Sequence, residues 1–149
     1  MANNHMISVI GSGTMGNGIA HVFALCDQIQ KVNLIDLDVT ILEKAKLIIE
    51  KNLQRQVQKN IISNSNAEEA LSKIFCTTKI EDIRNSNLVI EAVKEDFNIK
   101  KVIFEKLDFL SSDDTILATN TSSISIDKIG NSINKTENVI GMHFMNPVP

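Results

Sequence analysis

Residues 6–36 read MISVIGSGTMGNGIAHVFALCDQIQKVNLID and carry the strongest structural signal in the chain. The run at 6–10 is short, apolar and β-branched and stops at a glycine, which is typical of a buried strand. Residues 14–25 place apolar side chains at the spacing of an amphipathic helix. Residues 31–36, KVNLID, predict a second strand. This order predicts a βαβ unit at the start of the chain.

The turn between the first predicted strand and the helix, GSGTMG at residues 11–16, matches the pattern G-x-G-x-x-G. In such a turn Gly11 allows a tight bend, Gly13 lets the backbone approach a pyrophosphate, and Gly16 permits close packing of helix on sheet. Phosphate oxygens would lie on unpaired N–H groups at the positive end of the helix dipole. The pattern alone is weak evidence, but the flanking strand and helix agree with it. We therefore expect a dinucleotide to contact Gly11, Gly13, Thr14, Met15 and Gly16.

Asp36 lies twenty residues after Gly16, at the end of the second predicted strand. A carboxylate there can accept hydrogen bonds from both ribose hydroxyls of NAD. It would repel the 2′-phosphate of NADP, because like charges about 4 Å apart cost about 4 kcal/mol at an effective dielectric constant of about 20. No arginine lies beside it in the sequence to reverse that preference. The sequence therefore predicts NAD as cofactor; the competing interpretation is a helix cap, for which Asp38 is the better candidate.

Strands and helices continue to alternate after residue 36. Further strands are predicted at 75–78 (weakly), 88–93, 115–119 and 138–144. The helical signals are a long helix with Ile41, Ala45, Ile48, Ile49 and Leu53 on its apolar face, a loop at 60–70 running into a short helix, a helix marked by Ile99, Ile103, Leu107 and Leu110, and a helix or turn at 124–133. This alternation is the pattern of a parallel sheet covered on both faces. We predict an α/β, doubly wound, mostly parallel Rossmann fold in a single domain over residues 1–149.

The composition narrows the classes of function. The 149 residues are 43% hydrophobic and 22% charged, and the formal net charge of -3 argues against a nucleic-acid surface. Cys26 and Cys76 lack C-x-x-C spacing and a histidine cluster, so we expect no metal site and no disulfide, and two small buried thiols in a reducing compartment. No apolar stretch is long enough to cross a bilayer. Because residues 1–6 lead directly into a strand, we expect no targeting peptide and a cytoplasmic protein.

Polar residues lie at or just after the ends of the later predicted strands, at the sheet edge where ligands collect in α/β proteins. They form three clusters: Glu91 with Glu95, residues 120–123 (NTSS), and His143 with Asn146. His143 is the only histidine at a strand end, and an imidazole can act as a base near neutral pH. With Ser122 at the end of the neighbouring strand, removal of a proton from an alcohol is plausible. A merely packed histidine is the alternative, and a serine–histidine hydrolase is disfavoured because Ser122 lacks a G-x-S-x-G turn.

Four blocks of the sequence resemble the NAD-binding domain of the L-3-hydroxyacyl-CoA dehydrogenases, a family that includes 3-hydroxybutyryl-CoA dehydrogenases. The blocks are VIGSGTMGNGIAHVFA at 9–24, LVIEAVKEDFNIKKVIFEKLD at 88–108, ILATNTSSISI at 116–126 and VIGMHFMNPVP at 139–149. They span nearly the whole chain, and NTSS followed by HFMNP is the specific part. L-gulonate dehydrogenases share the glycine turn but look different around the histidine.

The resemblance implies an NAD-dependent oxidation of an L-3-hydroxyacyl-CoA to a 3-ketoacyl-CoA, in fatty-acid β-oxidation or butyrate metabolism. His143 matches the base that takes the proton from the C3 hydroxyl, and Ser122 matches the serine that bonds the substrate oxygen. The residues expected to contact NAD are Glu95, Lys100, Asn120 and Asn146. Asn52 and Lys59 match positions that touch coenzyme A, although an ordinary solvated helix face would look the same.

The family's base is oriented by a glutamate shortly after the HFxNPxP block, and a C-terminal helical domain supplies another active-site asparagine and most of a homodimer interface. Neither lies within residues 1–149. We therefore expect this chain to bind NAD but to be a poor catalyst alone. A non-catalytic NAD-binding or NAD-sensing module is the alternative from another class.

Overall fold

Strands and helices alternate along residues 5–149, the part of the chain that the computed structural model describes. The strands are β1 (His5–Ile10), β2 (Ile29–Ile35), β3 (Ile74–Thr77), β4 (Leu88–Glu91), β5 (Ile116–Thr119) and β6 (Val139–Gly141). The helices are α1 (Thr14–Ala24), α2 (Val39–Gln58), α3 (Asn64–Lys73), α4 (Phe97–Leu110) and α5 (Ile126–Gly130), with 3₁₀ turns at Ile80–Ile83 and Thr136–Asn138. The expectation about a targeting peptide falls mostly on residues 1–4, which lie outside the described residues.

The six strands form one sheet in the order β3-β2-β1-β4-β5-β6, and every pair is parallel. The strand order reverses between β1 and β4, which is where ligands bind in open α/β sheets. The predicted doubly wound Rossmann fold is thereby confirmed. In register, Ile10 pairs with both Ile35 and Glu91, Glu91 with Thr119, and Thr119 with Gly141. The carboxyl ends of five strands therefore meet along one edge.

Each face of the sheet packs on its own hydrophobic core. Val9, at 0% exposure, belongs to the core under α1, α2 and α3, whereas its neighbour Ile10 points into the core under α4 and α5. This follows from the two-residue period of a strand. Each fully buried side chain of this size, such as Phe104, contributes about 1.5–3 kcal/mol. The two cores hold the polar edge of the sheet in place.

Side-chain caps mark where α2 and α4 begin. Asp38 Oδ1 accepts from the N–H of Thr40 at 2.8 Å, which starts α2, and Asp96 Oδ1 accepts from the N–H of Ile99 at 3.1 Å, which starts α4. The expectation that Asp38 is the better cap than Asp36 is confirmed. Helix α1 differs, because Gly13 precedes it and provides no side chain to cap it.

Several element boundaries differ from the prediction. Strand β6 ends at Gly141 rather than at residue 144, because its partner β5 ends at Thr119 and no further strand backbone is available to pair with. Strand β4 likewise ends at Glu91 rather than at residue 93. Helix α3 runs for ten residues from Asn64, more than the predicted short helix, because Ser63 forms a capping box at its start.

Three of the apolar residues that mark the predicted helices are exposed. Ile41 and Ile48 of α2 are 40% and 44% exposed, and Ile99 of α4 is 41% exposed. The helical spacing was correct, but each lies at the margin of an apolar stripe wider than the contact with the sheet. The prediction of two buried thiols was also wrong: Cys76 lies exposed on the edge strand β3, and Cys26 is half-buried.

Within residues 5–149, no helix is long and apolar enough to cross a membrane. The same residues contain no group of three or more histidine, cysteine or acidic side chains that could hold a metal ion. Both cysteines are free thiols.

Candidate active site

The glycine turn between β1 and α1 is tightly packed at Gly11 and Gly16 and open at Gly13. Gly11 has φ +96°, and a Cβ there would lie 2.7 Å from the carbonyl oxygen of Ala92. A Cβ on Gly16 would run into the carbonyl of Gly11, so the helix can pack this closely only on a glycine. A Cβ on Gly13 would meet no atom within 4 Å. Gly13 therefore faces open space, where a ligand can approach the backbone.

The first turn of α1 is suited to an anion. Its first four N–H groups have no partner in a regular helix, and neither a side-chain cap nor an acidic residue in the first turn competes for them. Thr14 is exposed and Met15 half-buried, so this end of the helix is accessible. The dipole adds partial positive charge at the same place.

Asp36 lies beside this turn and is held there by Ser12. Its Oδ2 accepts from the Ser12 N–H at 2.8 Å and from the Ser12 hydroxyl at 2.9 Å. Its Oδ1 accepts from the N–H of Asp38 at 3.3 Å. The structure thus joins the carboxylate that ends β2 to the glycine turn that ends β1. Ser12 occupies an unspecified position of the G-x-G-x-x-G pattern, so the motif did not point to it.

An apolar cleft of about 720 Å³ adjoins Gly11 and Asp36. Its apolar lining comes from the ends of the strands, the first 3₁₀ turn and α4: Leu37, Ile80, Val93, Ile99, Val102 and Ile103. Leu37 is 95% exposed and Val102 51% exposed, so much of their apolar surface is left uncovered by the described residues. Such a surface suits a flat ring like adenine. No motif marks this cleft in the sequence, and its only signal there is the excess of apolar residues early in α4.

A buried ion pair, Glu91 with Lys100, lies at the end of β4, on the other side of β1 from Asp36. Glu91, at 0% exposure, accepts from the Lys100 ammonium at 2.6 Å and from the Thr119 hydroxyl at 2.7 Å. Lys100 is 1% exposed, and its ammonium also lies 3.3 Å from Glu95. The resemblance implied that Lys100 contacts the cofactor directly. The structure instead places its ammonium inside the protein, between two carboxylates.

The Glu95 carboxylate organises the NTSS turn after β5. Its Oε1 accepts from the N–H groups of Ser122 and Ser123, each at 3.2 Å, and from the hydroxyls of Ser123, at 2.9 Å, and Thr121. Burial raises the pKa of Glu95, but the hydrogen bonds from Thr121 and Ser123 and the charge of Lys100 outweigh it and bring the pKa to about 2. Glu95 is therefore an anion at neutral pH that fixes the backbone of Ser122.

Ser122 and His143 follow neighbouring strands at the same edge of the sheet. Ser122 lies three residues beyond β5 and His143 two residues beyond β6, and both are exposed. Asn120 links the two segments, because its Oδ1 accepts from the N–H of Phe144 at 2.7 Å. This bond anchors the residue directly after His143. Asn120, expected to contact the cofactor, thus has its carbonyl oxygen engaged within the protein.

The segment after His143 lies across α1. The rings of Phe144 and Phe23 meet edge to face with centroids 6.2 Å apart. A Cβ on Gly18 would come within 2.8 Å of the Cβ of Val148, so this glycine allows the close approach. Asn146 is exposed between these two contacts. It is therefore presented at the surface by a segment anchored on both sides.

Asn52 lies on α2 and Lys59 directly follows its last residue, away from these networks. Asn52 is half-buried within the helix, and Lys59 is the exposed residue that ends it. Among residues 5–149, neither side chain forms a hydrogen bond to the turn that carries Ser122 or to the segment that carries His143. The structure places Lys59 at the surface without joining it to the rest of the site.

A parallel sheet with a glycine turn, a carboxylate at the end of β2 and an apolar cleft between them defines a dinucleotide-binding Rossmann domain. The family model described as "3-hydroxyacyl-CoA dehydrogenase, NAD binding domain" matches residues 6–149. The chain belongs to this family. The predicted cofactor, NAD, is confirmed by that match, and the open space at Gly13 and the carboxylate of Asp36 fit it.

Relatives of known name agree with this assignment. The chain is 46% identical over 143 residues to a 3-hydroxybutyryl-CoA dehydrogenase of Clostridioides difficile, covering 96% of this chain and 50% of that protein. It is 38% identical over 149 residues to the mitochondrial hydroxyacyl-coenzyme A dehydrogenase of Homo sapiens, covering 96% and 47%. The crystal structure of the 3-hydroxybutyryl-CoA dehydrogenase of Escherichia coli matches with a TM-score of 0.94 at 38% identity, covering 99% of this chain and 31% of that one. The chain thus spans about half the length of the curated relatives it matches.

Proposed function

We propose that residues 1–149 form the NAD-binding half of an enzyme that oxidises L-3-hydroxyacyl-CoA, such as 3-hydroxybutyryl-CoA, to 3-ketoacyl-CoA in fatty-acid β-oxidation or butyrate metabolism. The observation that carries the proposal is the hydrogen bond from the Ser122 N–H to the Glu95 carboxylate. It holds the backbone of Ser122 at the edge of the sheet where the glycine turn also lies. The names of the relatives supply the substrate class. A second half of comparable length would complete the site and carry the homodimer contact that the resemblance implies.

His143 is proposed as the base. Its imidazole is exposed at the sheet edge, where a substrate hydroxyl can reach it, and an imidazole takes up a proton near neutral pH. Its place is set by the anchored neighbour Phe144. When bound, NAD supplies the hydride acceptor. The base then removes the proton that the C3 hydroxyl loses as its carbon is oxidised.

Ser122 is proposed to donate a hydrogen bond to the substrate oxygen. Because Glu95 fixes the N–H of Ser122, the serine side chain leaves a backbone that is already oriented. Lys100 acts one step further back, since it is bonded to Glu95 and Glu91 and is too deeply buried to reach a ligand. We therefore propose Lys100 as a positioning residue in place of the direct cofactor contact.

The dinucleotide is proposed to lie along the strand ends. Gly11, Gly13, Thr14, Met15 and Gly16 would hold the pyrophosphate, and Asp36 the adenosine ribose. Glu95, Asn120 and Asn146 are proposed to lie near the nicotinamide end. The exposed Lys59, at the C-terminal end of α2, would meet a phosphate of coenzyme A as a point charge, and Asn52 is proposed to touch coenzyme A from within the same helix.

The test is a chimera in which residues 1–149 replace the matching half of the C. difficile relative. We expect it to oxidise NADH when acetoacetyl-CoA is added, and we expect the isolated chain to do so poorly. His143→Ala should lower the rate by about 10²- to 10⁴-fold. The matched control His5→Ala, at the end of β1 remote from the glycine turn, should leave the rate unchanged. A folded chimera that binds NADH and shows no turnover with acetoacetyl-CoA would identify a non-catalytic NAD-binding module instead.

A further inference from the structure

Ser12 is a buried serine at the second position of the glycine turn, 2% exposed, and it directs two donors at one atom. Its N–H and its hydroxyl both donate to Asp36 Oδ2, at 2.8 and 2.9 Å. We propose that Ser12 is a second residue that sets the selectivity for NAD over NADP, and that it acts by fixing the Asp36 carboxylate. This goes beyond the family assignment, which concerns the glycines and the acidic residue.

The two donors restrain the orientation of the Asp36 carboxylate, whereas a carboxylate without such donors would be free to rotate. Among residues 5–149, only Ser12 and Asp38 donate to this side chain, and the bond from Asp38 is the long one at 3.3 Å. Turning the carboxylate away would break both short bonds from Ser12. A carboxylate has about four lone-pair sites; the two Ser12 donors occupy Oδ2 and the long bond from Asp38 occupies one site of Oδ1, so one site is left for a ribose hydroxyl and a second hydroxyl would displace the Asp38 N–H. Contact with the ribose of NAD therefore leaves both short Ser12 bonds in place.

A 2′-phosphate makes the opposite demand. It is an anion and would have to displace the Asp36 carboxylate, which the Ser12 donors resist. Without Ser12 the side chain could swing toward solvent, since Asp36 is only half-buried. The hydroxyl of Ser12 thus raises the energetic penalty for NADP more than it changes the binding of NAD.

The same geometry creates a latent anion site. If the Asp36 side chain is removed, the N–H and hydroxyl of Ser12 still point at the vacated position. Donors of this kind bind phosphate strongly. The adjoining cleft is lined by Lys94 and Lys106 against one other acidic residue, Glu81, so without Asp36 its lining carries a net positive charge. Loss of Asp36 should therefore do more than weaken NADH; it should admit NADPH, provided that Ser12 is present.

The test is a double-mutant cycle on the 149-residue chain, read out by the fluorescence of bound NADH and NADPH. The chain has no tryptophan or tyrosine, so nucleotide emission is measured without overlap. The variants are Ser12→Ala, Asp36→Ala and the double variant. Ser8→Ala is the matched control, because Ser8 is a buried serine of β1 whose hydroxyl bonds Ser86 and Asn33 instead.

We expect Ser12→Ala to narrow the preference for NADH over NADPH by about three- to tenfold, the effect of one hydrogen bond. Asp36→Ala should bind NADPH more tightly than the parent chain does, and the double variant should lose that gain. Ser8→Ala should leave the preference unchanged. Ser12→Cys, which keeps the volume but donates weakly, should shift it in the same direction and serves if the alanine variant does not fold.

Two results would overturn the proposal: an unchanged preference in folded Ser12→Ala or Ser12→Cys, or a double variant that binds NADPH as tightly as Asp36→Ala. Failure of the parent chain to bind either nucleotide is a distinct outcome. It would contradict the dinucleotide site itself, and with it any selectivity role for Ser12.

Discussion

The backbone N–H of Ser122 donates to Glu95 Oε1 at 3.2 Å, and Lys100 lies 3.3 Å from the other oxygen of the same carboxylate. Glu95 therefore connects a buried ammonium to an exposed turn. Through Lys100, the chain of contacts continues to Glu91 in β4. The backbone of Ser122, the residue proposed to touch the substrate, is thus held by the Glu95 carboxylate, which is in turn held by the buried ammonium of Lys100.

Glu95→Gln should lower kcat in the chimera about tenfold and leave the KM for acetoacetyl-CoA nearly unchanged. The amide can accept fewer and weaker hydrogen bonds than the carboxylate, so the turn that carries Ser122 loses definition. Steady-state kinetics of the reductive reaction measure both constants. Glu105→Gln, on the exposed side of α4, is the control. Equal kinetics for parent and Glu95→Gln would show that Ser122 is held without this carboxylate.

Lys100→Met should destabilise the chain by about 3–5 kcal/mol, because it leaves the Glu91 carboxylate buried without its partner. Urea unfolding followed by circular dichroism measures the free energy of unfolding. The matched control is Lys101→Met, whose ammonium is exposed and 3.7 Å from Glu105, and we expect a change below about 0.5 kcal/mol. Similar losses for both lysines would argue against an energetically important buried pair.

Acid should destabilise the fold in part through Glu95. Its pKa is lowered from 4.5 to about 2 in the folded chain. The ionised carboxylate therefore stabilises the fold above about pH 4.5, and this contribution is lost as the pH falls toward about 2. Glu95→Gln should show a shallower loss of stability across that range. If the unfolding free energies of the two proteins fell in parallel between about pH 5 and about pH 2, the assignment would be contradicted.

Gly13→Ala should weaken NADH binding, whereas Gly11→Ala should lower stability. A Cβ at position 13 meets no atom within 4 Å, so this variant should fold normally but bind NADH at least about tenfold more weakly, since the methyl group occupies the ligand's space. Position 11 has φ +96°, which alanine adopts only with strain, and a Cβ there would lie 2.7 Å from a carbonyl oxygen. This variant should therefore lose about 1–3 kcal/mol of stability. Thermal unfolding and NADH titration of both variants separate the two effects. Undiminished NADH binding by Gly13→Ala would place the pyrophosphate elsewhere.

The fold could be predicted because its signals are local. The glycine turn and its flanking apolar runs lie within thirty-one consecutive residues, 6–36, and specify the βαβ unit without reference to the rest of the chain. The end of β6 could not be found this way. It is set by the length of β5, a partner that a one-dimensional pattern does not reveal.

The site was predictable in its residue types and less so in its contacts. Asp36 and His143 stand at strand ends that the sequence reveals. The burial of Lys100 does not follow from its neighbours, because it depends on Glu91 projecting into the same space from β4. Ser12 was missed for the same reason, since its partner is twenty-four residues away. The roles of these residues in binding and catalysis are still predictions.

The most direct test of the central claim is the effect of His143→Ala on the chimera, measured as kcat for acetoacetyl-CoA reduction together with the Kd for NADH. In this direction the protonated His143 would donate the proton to the substrate oxygen, and a general acid or base contributes about 10²- to 10⁴-fold. We predict a loss of that size in kcat with the Kd for NADH changed less than about twofold, because His143 bonds none of the glycine turn within residues 5–149. A kcat close to that of the parent chimera, with NADH still bound, would contradict the account.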